Sequence, residues 1–386
     1  MYNKKEYEIS NQFTRWRQNT MKVTLFLSAL VLLLIGCGSS GSSSSDETKL
    51  KVGLIPDTGR VDDNTFAQSA YNGGTKAAKS FNVQFDYAQF TYNQNTSADD
   101  YKNFIQKFID SGYQMIITVG YLMADITNTM AKANPNIKFA SLDNSYTEYP
   151  SNMAGLVFRE DQPAYLAGIV AGKMSVTKKL GVIGGVSIPQ VRGFVNGFKS
   201  GVSSVCESCK VSCVYIMSFG SPDKGKEQAK IMIDGGADVI FGAGGATGSG
   251  GVLYATQSGK WGIGVDLDEY YTTYKSGAEP SVTNLITSAM KGIDTSVYDI
   301  VKTLVNGTFT SGTHVYDASN DGIGLAPYHN MDSLVTADIK TAVSAAYTKL
   351  KTDATVTNVD RATGALNTSA DKANAALDGC TTVTVQ

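Results

Sequence analysis

Short apolar segments alternate with amphipathic helical segments along most of this chain, and that alternation restricts the fold more than any other feature. The segment Tyr113–Val119 is largely apolar on both faces, as expected for a central parallel strand with helices on both sides. The segment before it, Ser97–Gly112, has the helical period. Its apolar residues lie on one helix face: Tyr101, Phe104, Ile105, Phe108 and Ile109. Strands that alternate with helices form parallel sheets, so we predict an α/β fold.

The alternation occurs in two successive series, which predicts two lobes. The first series runs from residue 49 to about Val157, and the second begins at Leu180 and reaches Asp266. A chain of 386 residues also exceeds the usual size of one hydrophobic core. We further predict a long helix over Asn284–Asn306 and a surface helix or loosely held tail over residues 351–386. Because open α/β sheets bind ligands at the carboxyl ends of their strands, two such lobes predict a clamp that closes on a ligand.

The N-terminal segment has the features of a bacterial lipoprotein signal. Basic residues precede an apolar run of 13 residues, Val23 to Ile35, which is shorter than the roughly 20 residues that span a bilayer. Gly36-Cys37 and a Ser/Gly-rich stretch follow the run. We therefore predict a signal peptide over residues 1–36, lipid (palmitate) on the Cys37 sulfur and a flexible tether over residues 37–48. This would attach the protein to the extracytoplasmic face of the cell membrane through the lipid alone. The alternative is an ordinary secretory signal with an incidental cysteine, and the start at Met1 or Met21 stays open.

Charge and cysteine content restrict the partners. A formal net charge of -2 gives no reason to expect nucleic-acid binding, and we predict none. Four cysteines follow Cys37 in the chain: Cys206, Cys209, Cys213 and Cys380. In an extracytoplasmic protein they predict disulfides, with three pairings open. A metal site is the alternative, but the chain has only 2 histidines and neither lies near these cysteines in sequence.

The stretch Leu50–Phe66 reads as a buried strand, a tight turn and the start of a helix. Asp57 lies in the turn, Asp63 is placed to cap the helix, and Phe66 falls in its first turn. Since the turn lies at the carboxyl edge of the sheet, we expect Asp57 and Phe66 to flank one crevice. The alternative is that Asp57 is only a turn residue and Phe66 only a core residue.

Eight short motifs occur in order between about residue 50 and about residue 330. They are Asp57-Thr-Gly59 with Asp62–Phe66, and Val119–Asp125, Phe158–Gly168, Gly181–Gly185, Gly197–Gly201, Ile263–Asp268, Thr287–Lys291 and Gly322–Tyr328. In this order they resemble the basic membrane protein (PnrA-like) family of ABC-transporter substrate-binding lipoproteins, whose best understood members are purine nucleoside receptors.

The resemblance implies a type I periplasmic-binding-protein clamp, in which the chain crosses the hinge more than once. It implies a first α/β lobe from residues 49–157 and 283–312, and a second from residues 158–282 and 313–386. The implied partners are a small-molecule ligand, a purine nucleoside, and an ABC permease with its ATPase, which receive the ligand. No cofactor and no catalytic residue are expected.

A purine base has two flat faces and a polar edge, and aromatic side chains stack on such faces. Phe66 can cover one face. For the opposite face we expect Phe241, which ends a predicted strand, or as second choice Phe219. Asp57 is placed to accept a hydrogen bond from the base, and the glycine-rich loop around Gly244 lets the main chain approach the ligand.

Vicinal ribose hydroxyls suit a carboxylate, because each hydroxyl can donate to it. Asp266 ends a buried strand and is our candidate, which the resemblance supports. Lys291, expected on the long helix, can donate to a ribose oxygen or pair with Asp266, and Asp143 is a further candidate. The alternatives are structural roles for the two acids and a solvated surface position for the lysine.

Other functions remain open at this point. A nucleoside hydrolase or phosphorylase would need a metal cluster, a phosphate site or a positioned general acid, and we find none of their motifs. A surface adhesin or antigen on the same scaffold, or a clamp for another small polar ligand, fits the same pattern.

Overall fold

The computed structural model describes residues 49–58, 60–62, 64–88, 96–367 and 379–385. The predicted signal peptide, Cys37, the tether and the predicted cap Asp63 lie outside these residues. The strands are β1 (Lys51–Pro56), β2 (Gln84–Tyr87), β3 (Met115–Val119), β4 (Lys138–Leu142), β5 (Met153–Phe158), β6 (Lys179–Gly184), β7 (Lys210–Tyr215), β8 (Val239–Ala243), β9 (Trp261–Asp266), β10 (Leu285–Lys291), β11 (Gly312–Tyr316), β12 (Ile323–Leu325) and β13 (Thr381–Thr382). The α-helices are α1 (Phe66–Phe81), α2 (Ala98–Asp110), α3 (Ala124–Ala133), α4 (Asp161–Met174), α5 (Pro189–Val205), α6 (Pro222–Asp234), α7 (Gly245–Gln257), α8 (Ile293–Val305) and α9 (Ala337–Leu350).

The strands form two sheets. The first has the order β11-β5-β4-β3-β1-β2, and each of its neighbouring pairs is parallel. The second has the order β12-β10-β9-β8-β6-β7-β13, and among its pairs β12 alone runs antiparallel to its neighbour. We call the first sheet and the helices packed on it the first lobe, and the second sheet with its helices the second lobe.

Both faces of each sheet are covered, which is why these strands are apolar on both sides. In the first lobe Val52 and Leu54 of β1 pack in a cluster with α1 and α8, whereas Ile55 enters a cluster with α2 and α3. In the second lobe Val182 of β6 packs with α4 and α5, whereas Ile183 packs with α6 and α7. Neighbouring residues thus enter opposite cores, as strand geometry requires.

Within the described residues the chain passes between the two sheets three times. The passages lie between β5 and α4, between β10 and α8, and between β11 and β12. The predicted return to the first lobe at residue 283 therefore comes later, at Gly292, because β10 pairs in the second sheet. Glu160 lies in the first passage and Lys291 is the last residue before the second.

The predicted helix Asn284–Asn306 is wrong for its first half. Residues Leu285–Lys291 form a strand that is buried along nearly its whole length, and the helix begins only at Ile293. A strand buried on both faces has no alternation of apolar and polar residues, so its apolar positions can match a helical period by chance. Lys291 therefore ends a strand and does not lie on a helix.

Two disulfides join the four predicted cysteines, Cys206 to Cys209 and Cys213 to Cys380. The second holds the chain terminus beside β7, where β13 adds a short parallel strand. Residues 351–367 are also held, because Thr357 is fully buried and donates a hydrogen bond to Asp161. The described parts of the predicted tail are thus packed on the second lobe.

The described residues contain no cluster of three or more His, Cys, Asp or Glu side chains that could hold a metal ion. No helix among them is both long and apolar enough to cross a membrane.

Candidate ligand-binding site

The predicted site residues follow the carboxyl ends of strands in both sheets, where the lobes face each other. Several contacts between described residues join the lobes there. Lys291 of β10 binds Asp143 after β4, Gln190 of α5 donates to the main-chain oxygen of Asp143, and the Tyr121 ring lies 6.2 Å from that of Phe219. Residues of both lobes therefore line one cleft.

Asp57 is held firmly at the end of β1. Its Oδ1 accepts hydrogen bonds from the Thr58 amide at 2.6 Å and hydroxyl at 3.2 Å, and its Oδ2 accepts from the Leu122 amide at 3.2 Å. The Tyr101 hydroxyl donates to its main-chain oxygen at 2.9 Å. Burial raises the pKa of Asp57 to about 6, although these amide donors act in the opposite direction.

Gly120 leaves the space that this carboxylate occupies. A Cβ on Gly120 would lie 2.1 Å from Asp57 Cγ, and its φ of +110° is one that side chains rarely adopt. The glycine after β3 is therefore required both by the backbone and by Asp57.

Lys291 lies among acids at the centre of the cleft. Its Nζ is 2.8 Å from both carboxylate oxygens of Asp143 and 3.2 Å from Glu160 Oε1, so these two acids can accept all three of its hydrogens. Burial lowers the pKa of Lys291, but the charges of Asp143, Glu160 and Asp266 raise it by more, so the ammonium is charged. The same ammonium lies 4.9 Å from the centre of the Phe66 ring, a cation–π distance.

Asp266 differs from the other acids of the cleft. It ends β9 with a φ of 66°, is partly exposed, and its side chain makes no hydrogen bond to the described residues. Burial raises its pKa to about 6, against the opposing charge of Lys291, while Asp143 contributes in the same direction as burial. The charge of Asp143 also raises the pKa of Asp57, so Asp143 acts on both of the other acids.

The aromatic candidates have different positions. Phe66 is partly buried at the first turn of α1, beside Lys291. Phe219 lies on the loop after β7, partly exposed, next to Gly185 and across from Tyr121 of the first lobe. Gly244 follows β8 and lies against the same Gly185.

Phe241 does not line the cleft. Its side chain is fully buried and stacks on Phe198 of α5, with ring centres 4.9 Å apart. The physical reason is that β8 continues to Ala243, so Phe241 is two residues inside the strand and not at its end. Our first choice for the second stacking ring is therefore wrong, and our second choice, Phe219, is a ring of the second lobe that lies at the cleft.

The glycine-rich segment is mostly helix. Gly242 lies in β8 and Gly244 directly precedes α7, whereas the glycines that follow are in α7 and allow α6 and α7 to pack closely. A Cβ on Gly225 of α6 would lie 1.9 Å from the main-chain oxygen of Thr247.

Sequence reasoning missed Glu160, Gln190 and Tyr121 as cleft residues. Glu160 and Tyr121 follow strands β5 and β3 closely, the same signal that identified Asp57 and Asp266. Gln190 lies at the first turn of α5, and nothing local in the sequence distinguishes it from an exposed helix-start residue.

Comparisons with known proteins agree with this architecture. The family model for the ABC transporter substrate-binding protein PnrA-like family matches residues 49–357. The chain is 33% identical over 350 residues to the ABC transporter nucleoside-binding protein BmpA of Lactococcus lactis subsp. cremoris, covering 87% of this chain and 97% of that protein. It is 30% identical over 307 residues to Basic membrane protein A1 of Borrelia garinii subsp. bavariensis, covering 78% and 86%.

A solved structure shows the same fold. The solute-binding protein of an ABC transporter system from Aeropyrum pernix K1 superposes with a TM-score of 0.67 at 23% identity, covering 78% of this chain and 91% of that one. This confirms the predicted α/β clamp of the type I periplasmic-binding-protein kind. The family consists of solute-binding proteins and not enzymes, which excludes the hydrolase and phosphorylase alternatives. The resemblance inferred from the eight motifs is confirmed, and the chain belongs to the PnrA-like family of ABC transporter substrate-binding proteins.

Proposed function

We propose that this substrate-binding protein captures purine nucleosides between its two lobes. The base stacks on Phe66 and Phe219, and the ribose hydroxyls bind Asp266 with Lys291 beside it. The name of the relative from Lactococcus lactis, a nucleoside-binding protein, supports this ligand class for our chain.

The observation that carries the proposal is the carboxylate of Asp266. It is the cleft acid whose side chain makes no hydrogen bond to any described residue, whereas Asp57, Asp143 and Glu160 each have partners. A carboxylate that can be reached from the cleft but has lost much of its water is stabilised by hydrogen-bond donors from a ligand. Two vicinal hydroxyls supply such donors. The neighbouring charge of Lys291 lowers the pKa of Asp266 against the effect of burial and so favours the ionised carboxylate.

The base end of the ligand is assigned to Asp57 and the two rings. Asp57 retains acceptor capacity beyond its contacts to Thr58 and Leu122, so it can accept from an amino group or N–H of a base. Phe66 comes from the first lobe and Phe219 from the second, which suits a flat guest enclosed on closure. Each stacked ring contributes roughly 1–3 kcal/mol.

The test is calorimetric titration of the protein with adenosine, guanosine, inosine, cytidine, adenine and ribose. We expect purine nucleosides to bind at least roughly tenfold more tightly than adenine or ribose, because a ligand without the ribose leaves Asp266 without donors. Equal affinity for adenine and adenosine would contradict the proposal. Asp266→Asn should weaken adenosine binding, whereas the matched variant Asp268→Asn, whose side chain contacts His329 instead, should not.

We also propose that the protein is attached to the membrane through lipid on Cys37 and delivers its ligand to an ABC permease and its ATPase. The predicted signal segment and the Ser/Gly-rich tether support the anchor. Metabolic labelling with palmitate tests it: label should enter the wild type and not Cys37→Ser. Uptake of labelled adenosine by cells that lack this protein, against complemented cells, tests delivery.

A further inference from the structure

Lys291, Asp143, Glu160 and Asp266 form what we call the hinge cluster, in which one ammonium faces three carboxylates. The side chains of Lys291, Glu160 and Asp143 are 2%, 9% and 13% exposed, so these three groups have little access to water. Three carboxylates around one cation leave an excess of buried negative charge, which is unfavourable in such surroundings. A bound proton would reduce that excess.

The members of the cluster belong to different parts of the clamp. Glu160 lies in the first passage between the lobes and Lys291 adjoins the second, so both are near the pivot of any hinge motion. Asp143 belongs to the first lobe, since it follows β4 and its amide donates to the main-chain oxygen of Leu156 in β5. Glu160 immediately precedes α4, which packs in the second lobe, and Lys291 belongs to β10 of the same lobe. Opening about the passages therefore separates Asp143 from Lys291 while Glu160 and Lys291 stay together.

We infer that closure of the lobes is coupled to the binding of a proton at Glu160. In the open clamp Glu160 is the close partner of Lys291 and is ionised. On closure Asp143 comes to 2.8 Å from the same ammonium with both its oxygens, and Glu160, at 3.2 Å from it, then shares the ammonium with a second acid. This coupling rests on the proposed function, because a bound nucleoside is what holds the lobes closed.

The surroundings of Glu160 support this direction. Burial raises the pKa of Glu160 to about 8, Lys291 opposes the rise and Asp143 adds to it. The charge of Asp266 on β9 acts on Lys291. The charged residues on either side of Glu160 in sequence, Arg159 and Asp161, bind each other at 2.7 Å, and Arg159 also feels the charge of Glu160. On α5, Gly193 lies against the Glu160 side chain and does not titrate.

The sign of the pH dependence follows. If closure raises the pKa of Glu160, adenosine binding takes up a fraction of a proton, and its affinity falls as the pH rises through the values of the open and closed forms. Adenosine has no titrating group in the neutral to mildly alkaline range, so the proton is taken up by the protein. Burial raises the pKa of Asp57 and that of Asp266 only to about 6, below that of Glu160.

The experiment is calorimetric titration with adenosine at about pH 8, in two buffers that differ in ionisation enthalpy. The wild type should show heats that depend on the buffer, with net proton uptake, and weaker binding at higher pH. Glu160→Gln keeps the shape of the side chain but cannot titrate, and should bind adenosine with heats that do not depend on the buffer. Asp143→Asn removes the acid that closure brings in and should reduce the uptake. Glu148→Gln, an exposed glutamate of the first lobe, is the matched control and should behave as the wild type.

The outcomes are distinct. No heat with adenosine, guanosine or inosine would refute the proposed function and this coupling with it. Binding whose heat is independent of the buffer in the wild type would refute the coupling alone, and so would proton uptake that persists unchanged in Glu160→Gln. If Glu160→Gln does not fold, unchanged uptake in Asp143→Asn is the result that refutes it.

Discussion

Phe219 and Phe241 provide a paired test, because the same substitution should affect two different properties of the protein. Phe219→Ala removes a partly exposed ring at the cleft, and Phe241→Ala removes a fully buried ring in the core of the second lobe. We expect the first to weaken nucleoside binding and leave folding nearly unchanged. We expect Phe241→Ala mainly to lower the free energy of unfolding.

The magnitudes follow from the two environments. Loss of one stacking face costs roughly 1–3 kcal/mol, so Phe219→Ala should weaken adenosine binding about 5- to 150-fold. Phe241 packs on Phe198 at 4.9 Å and also contacts Phe194, so truncation leaves a cavity that costs about 3–5 kcal/mol of stability. Its effect on affinity should be smaller, since its ring does not reach the cleft.

The assays are urea unfolding without ligand and calorimetric titration with adenosine. Phe66→Ala should resemble Phe219→Ala in binding, with the difference that it also removes the ring beside Lys291. The reasoning is refuted if Phe219→Ala binds adenosine as the wild type does, or if folded Phe241→Ala loses more affinity than Phe219→Ala.

Three further predictions concern Asp57, Gly120 and the disulfides. Burial raises the pKa of Asp57 to about 6, so folding favours the protonated carboxyl. The stabilisation by this protonated carboxyl is complete below the unfolded pKa, and the free energy of unfolding falls by about 3 kcal/mol as the pH rises from about 4 to about 6. Urea unfolding of ligand-free protein at several pH values measures this, and Asp57→Asn should flatten the dependence; an unchanged profile contradicts it. Gly120→Ala should displace the Asp57 carboxylate and abolish adenosine binding in calorimetry, whereas Gly112→Ala, also at positive φ but with open space around it, should be destabilised without loss of binding. Loss of the Cys213–Cys380 disulfide, which spans 167 residues, should lower the free energy of unfolding by about 5 kcal/mol. Loss of Cys206–Cys209, which spans 3, should lower it by about 2 kcal/mol. Equal losses in urea unfolding of the paired Cys→Ser variants would show that the length of the closed loop does not decide the effect.

The residues that could be predicted from sequence are those that end strands. Asp57 and Asp266 follow apolar runs that are strongly strand-like, and the carboxyl edge of a parallel sheet is where ligands bind. The two lobes could be predicted for the same reason, since the repeated strand–helix alternation extends over both. The structure places both acids in the cleft, and their roles toward a ligand remain proposals.

The partners of these residues could not be predicted. Asp143 and Lys291 bind each other across 148 positions of sequence, and Gln190 approaches Asp143 from a third element. The cysteine pairing was open for the same reason, because Cys213 and Cys380 are also brought together only by the fold. Local periodicity contains no information about which strand ends meet across a hinge.

The error at Phe241 shows how finely the site depends on strand length. Side chains alternate along a strand, so Phe241 and Ala243 point to the same face, and only the end of the strand decides which of them is near the edge. An end assigned two residues too early moved a core phenylalanine into the predicted cleft, since element ends are the least certain part of a sequence prediction. Asp266 escaped this error because a polar residue closes β9: an acid after Gly262–Val265 would be costly inside the core, so its charge itself marks the edge. In this fold, therefore, an acid at the end of an apolar run identifies a cleft position more securely than an aromatic residue does, because burial is costly for a carboxylate and favourable for a ring.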